Sequence, residues 1–141
     1  MISPALPDIQ AGMIKFLRGK TLAGPSVLDL PKRATKAPYV LVTWEGDIQE
    51  QHNTVMPTAR ITTDAFGRTP KQARYIARQI REALLTPGDA TGGIRAAVSY
   101  YDEEEEENRT INLSGARLES GPREGPDESE RIITTYLVTY Y

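Results

Sequence analysis

The 141-residue chain is 39% hydrophobic and 26% charged, a globular composition of a size for one domain over 1–141. Without cysteine it forms neither disulfides nor thiolate metal centres, and no run approaches the ~20 apolar residues of a membrane helix. MISPALPDIQ lacks a basic-then-apolar leader pattern, so a soluble protein of the cytoplasm with no membrane partner is expected. The net charge of −2 is segregated: Asp102–Glu107 carries −6, leaving +4 on the rest.

From the N-terminus, residues 7–20 read as a helix, with Asp8 favouring its start, Ile9, Met13, Phe16 and Leu17 on one face, and Gly19 as its stop. Residues 20–38 hold Pro25, Pro31 and Pro38 and read as a long irregular connection. YVLVTW at 39–44, apolar on both faces and rich in β-branched residues, predicts a central strand. A second strand is expected over 56–63, starting at or after Pro57, which cannot donate to a ladder. Thr69-Pro70-Lys71-Gln72 forms a capping box with proline in the first helical position, and Ala73, Ile76, Ala77, Ile80 and Leu84 follow as a core stripe, so a helix is expected over 69–85, ended by Thr86-Pro87-Gly88. Three strands complete the chain, at 93–101, 109–118 and 131–140; the first two flank the acidic hairpin 102–107, and ESGPREGPDESE reads as a mobile loop over 119–129. The pattern predicts an α+β fold: a mainly antiparallel sheet of about five strands with two helices packed on one face.

Motifs for catalysis are not visible. Asp102, Glu103, Glu104, Glu105, Glu106 and Glu107 lack the alternating spacing of a calcium loop, and six neighbouring carboxylates in an open turn do not make the isolated acid and base of a hydrolase. A solvated hairpin tip is the plain reading, and a surface facing a polyanion or a basic partner the functional one. His52, the sole histidine, sits in a polar loop with no nucleophile elbow anywhere in the chain. Gly121-Pro122-Arg123-Glu124-Gly125 lacks the lysine of a phosphate loop, and the sequons at Asn108 and Asn112 are chance matches without a secretory route. No enzyme, metal or cofactor is expected. Arg74, Arg78 and Arg81 share one flank of the second helix with Lys71 nearby, either a solvent face aided by Arg78–Glu82 pairing or a basic stripe for nucleic acid or an acidic neighbour. Tyr100, Tyr101, Tyr136, Tyr140 and Tyr141 gather on the C-terminal strands, as packing residues or as interface aromatics.

The layout resembles that of tail-terminator (tail-completion) proteins of long-tailed, non-contractile phages. The similar parts are the amphipathic first helix, SVLDLPKRATKAPYVLV running into a strand, RITTDAFGRT, the helix PKQARYIARQIREALL, and strands reaching the C-terminus, together roughly residues 5–141. The resemblance implies a homo-oligomeric ring, usually a hexamer, at the tail-neck junction of the virion. That ring caps the tail tube, ends its polymerisation and offers a surface to the head-side connector or stopper protein, while DNA passes through its lumen without specific binding. In such a ring the Asp102–Glu107 tip either lines the lumen or a ring face, repelling phosphates, or meets the Arg74/Arg78/Arg81 stripe of the next subunit; the lumen or ring-face role is preferred. Residues 45–55, with Asp47, Gln49 and Glu50, and 119–129, with Arg123 and Glu124, are the expected docking loops, and deletion of 120–128 is expected to leave a folded protein. The alternatives are a head-completion or stopper neck protein and, from another class, a small nucleic-acid-binding module.

Overall fold

Asp8 opens the chain's first helix by local chemistry: its carboxylate accepts from the Ala11 backbone N–H at 3.1 Å, satisfying a donor that the first turn leaves orphaned. This helix, α1 (Ile9–Arg18), ends with basic Lys15 and Arg18 in its last turn and Gly19 at its C-cap. The computed structural model describes residues 7–30, 36–48, 56–85, 93–125 and 130–141. The helix stop expected at 86–88 lies outside them. Beyond α1 come a 3-10 turn (Gly24–Ser26) and the strands β1 (Val27–Leu28), β2 (Tyr39–Ile48) and β3 (Thr58–Phe66). Helix α2 (Pro70–Leu85) follows, then β4 (Arg95–Asp102), β5 (Glu107–Glu124) and β6 (Arg131–Tyr140).

The strands form one mixed sheet in the order β1-β2-β3-β6-β5-β4, curled into a half-barrel. The α+β expectation holds, with three corrections. The sheet has six strands, because Val27 and Leu28, inside the supposedly irregular connection, pair in parallel with Val40 and Leu41. Two residues are too short to show a period, so only the pairing reveals them. The 39–44 strand is not central but second from an edge; β3 and β6, paired residue for residue from Thr58↔Thr139 to Phe66↔Arg131, occupy the middle. And β5 runs on through residues 119–124, the first half of the expected mobile loop.

That extension has a physical reason. β5 pairs with β4 only from Glu107 to Ser114 and with β6 from Leu113 to Glu124, so the outer edge of its second half is free. A free edge tolerates Pro122, which has no N–H to donate. Gly115 (φ 123°) and Gly121 (φ 89°) accommodate left-handed backbone beside the register shifts at 113/116, 118/120 and 120/123. A deletion of 120–128 therefore removes strand pairing, and the expectation that it leaves a folded protein does not stand.

Both helices pack into one core: α1 lies against β1, β2 and β4, and α2 against β3, β5 and β6. At Gly12 α1 comes so close to the sheet that an added Cβ would sit 2.5 Å from Ile111 Cγ2. Among the described residues, side chains shield the opposite face of β3 and β6. Arg131 bonds Asp64 at 2.7 Å and covers the Phe66 ring, which stacks on Tyr39, while Arg60 bridges to Glu119 at 2.9 Å. Ile133 and Leu137 are thus buried although they point away from the helices.

Candidate functional site

Thr69 caps α2 as the sequence requires, accepting from the Gln72 N–H at 3.1 Å; Gln72 reaches back to the N–H of Arg68 rather than of Thr69, at 2.7 Å. With the helix so fixed, Ile76, Ile80 and Leu84 face the sheet, and Arg74, Arg78 and Arg81 are exposed along one flank. Ala77, which belongs to the apolar stripe, is only half-buried and borders an opening beside the helix. There α2 and the end of β5 stand apart and leave a cleft of about 340 Å³.

Arg74, Arg78 and Arg81 form one wall of this cleft, Pro122, Arg123 and Glu124 the other, and Ile132, Thr134 and Tyr136 of β6 its floor. The structure thus brings together the arginine stripe and the two named residues of the expected 119–129 docking loop. No ion pair among the described residues engages Arg74, Arg78 or Arg81, and the expected Arg78–Glu82 pair does not form. Among the described residues four guanidiniums face one glutamate.

The sequence offers Tyr136 as a packing or interface tyrosine but not as the floor of this cleft. Its side chain is fully buried and its hydroxyl has no hydrogen-bond partner among the described residues, a rare condition that costs on the order of 1–3 kcal/mol. Burial pushes the phenol up to about 12, opposed by the positive charge of Arg81. The hydroxyl therefore stays protonated at neutral pH, a donor in the floor of a basic cleft. Its signal in sequence is the alternation Ile132, Thr134, Tyr136, Val138, Tyr140, which is ambiguous because Ile133 and Leu137 make the other face equally apolar.

The acidic run is built quite differently. Asp102 does not belong to its outer surface: its Oδ1 accepts from the backbone N–H groups of Glu104 and Glu105 at 3.0 and 3.2 Å, and Arg109 contacts its Oδ2 at 3.3 Å. These bonds, that from Glu105 foremost and then the Arg109 side chain, hold the carboxyl below its usual range against the opposing effect of burial. Glu106 closes the turn in left-handed conformation at φ 53°. Glu103 through Glu107 are all exposed, and Tyr101, beside them, is 57% exposed. Of the other tyrosines, Tyr100, Tyr136 and Tyr140 are core residues and Tyr141 is exposed. Tyr100 accepts from the Asp8 N–H at 2.7 Å.

The expected 45–55 loop is partly strand. Asp47 lies in β2, at a bulge between Trp44 and Asp47, and is bound by the Trp44 indole at 3.2 Å and the Tyr140 hydroxyl at 2.9 Å. Its carboxylate is committed to the fold, which argues against a docking role. Gln49, Glu50 and His52 lie outside the described residues, as do 126–129 of the second loop. Among the described residues no three His, Asp or Glu side chains converge as a metal site requires, and no helix is long and apolar enough to cross a membrane.

The chain matches no family model, no curated protein and no solved structure.

Proposed function

We propose that the protein works by assembly: several copies close into a ring that caps a phage tail tube, ends its growth and presents a face to the head-side connector. One observation carries the assembly reading. A strand of 18 residues has a fan of exposed glutamates at one end and a four-arginine cleft at the other. Its backbone spans at most roughly 56 Å at about 3.3 Å per residue, less where its register shifts bend it, and its two ends are held apart by pairing with β4 at one and with β6 at the other. Opposite charges that cannot neutralise each other within a chain suit a head-to-tail contact between chains, the kind of interface that generates rings. The likeness of the element order to tail terminators supplies the place of that ring.

The test is a phage lacking this gene. Over-long tail tubes are the expected outcome; tails of normal length detached from heads would assign the protein to the head-completion or stopper side of the neck instead. The arginine cleft also supports a second reading, a nucleic-acid-binding module. Its signature is duplex binding that weakens steeply with salt, because each neutralised phosphate releases counterions.

A further inference from the structure

We infer that the cleft between α2 and the end of β5 seats the Glu103–Glu107 turn of a second copy of this chain. The contact rests on the ring reading only for its closure; the pairing of surfaces stands on the geometry itself.

Three observations point to this occupant. Among the described residues the cleft carries Arg74, Arg78, Arg81 and Arg123 against Glu124 alone, so it selects an anion. Its floor holds the Tyr136 hydroxyl, buried and without a partner among the described residues, which can donate to an acceptor such as an ionised carboxylate. The turn offers five exposed glutamates on a narrow hairpin tip braced from within by Asp102 and Arg109, so little order is lost when it docks. Exposed Tyr101 beside the turn adds an aromatic face over which a guanidinium can lie. A duplex fits less well: the cavity is concave, about 340 Å³, with an apolar floor and a glutamate on its rim, whereas backbone-tracking proteins spread their cations along a groove.

The contact is heterologous, turn to cleft. Each copy keeps a free turn on one side and a free cleft on the other until the circle closes.

The experiment is a charge exchange read by sedimentation and native mass spectrometry. One variant reverses the cleft (Arg78→Glu with Arg81→Glu) and another the turn (Glu104→Lys with Glu105→Lys). All four positions are exposed, so both variants keep their fold, as circular dichroism checks. Each alone is expected to associate more weakly than wild type by on the order of tenfold or more, and an equal mixture to recover association, since the introduced lysines of one variant then face the introduced glutamates of the other. A third variant, Tyr136→Phe, melts at or above the wild-type temperature, because it removes an unsatisfied buried hydroxyl, yet loses several-fold in association. Rings that form unchanged in both reversed variants overturn this contact and leave the ring reading intact. A wild type that stays monomeric at high concentration, alone and with tube subunits, overturns both. Loss of duplex binding in the cleft variant with association unaffected gives the cleft to phosphate and overturns the second-copy assignment.

Discussion

The two ends of β5 solve different problems with the same backbone. At Glu107 the strand emerges from a turn tied by its own neighbours: Asp102 gathers two N–H groups and Arg109 within a span of eight residues. Nothing from another element is needed to shape it. At Glu124, by contrast, the strand is set by β6 in a thrice-shifted register and faces α2 across a cleft whose floor comes from β6. The first end is a self-contained projection; the second exists only because three distant segments meet. The consequence is that changes at the first end should alter surface and little else, and changes at the second should alter both the fold and what it binds.

Deletions give the widest separation between the ends. Removing residues 120–124 takes away the pairing of Ser120, Arg123 and Glu124 with β6, and no cooperative thermal transition is expected. Replacing Glu103–Glu106 by Asn-Gly, a two-residue hairpin connection that matches strand twist, is expected to leave the transition in place. If the first deletion melts like wild type, the embedded character of that end is wrong.

Single truncations follow at smaller amplitude. Tyr136→Ala empties a fully buried aromatic site and is expected to cost about 3–5 kcal/mol in denaturant unfolding. Tyr101→Ala, beside the acidic turn, should stay within about 0.5 kcal/mol.

Alkaline titration probes the same floor residue. The Tyr136 phenol ionises at about 12 in the folded chain and near 10 when unfolded, so the unfolded state loses its proton first and stability falls as pH rises through that window. The expected loss is roughly 2 kcal/mol, and Tyr136→Phe should remove it. Tyr140, raised by burial and by Asp47, adds to the alkaline decline and survives that substitution. A wild-type stability profile flat from pH 10 to 12 would show that neither phenol is buried as described.

The smallest effect belongs to the turn. Asp102 has a depressed folded pKa, so its contribution is present above the unfolded value of 3.8 and is lost as pH falls below it. Asp102→Asn should lower the melting temperature slightly at pH 7 and leave it unchanged at pH 2. An equal effect at both pH values would mean that shape rather than charge holds the turn.

Much of the frame is legible in the residues, for reasons that can be named. Asp8 and Thr69 cap their helices, and the i, i+3, i+4 recurrence in 73–84 fixes which flank of α2 meets the sheet. The six acids announce a hairpin tip because nothing so charged can be buried. Other features stay hidden. Val27–Leu28 is too brief to register, and Gly121-Pro122 looks like a loop unless one knows that the outer edge there is free. Asp47 looks like a loop acid, yet it anchors Trp44 and Tyr140 through a bulge whose register is set by β3.

What the sequence by itself determined are the features made within a few residues: two amphipathic helices with their caps, the longer strands, and an acidic hairpin turn. Only the tertiary structure decided the cleft, because residues 74–81, 122–124 and 132–136 have no local relation and come together solely through strand order. Hydrogen bonds between neighbours in the chain can be read from their spacing; the space left between a helix and the far end of a bent strand depends on how the whole sheet curls beneath it.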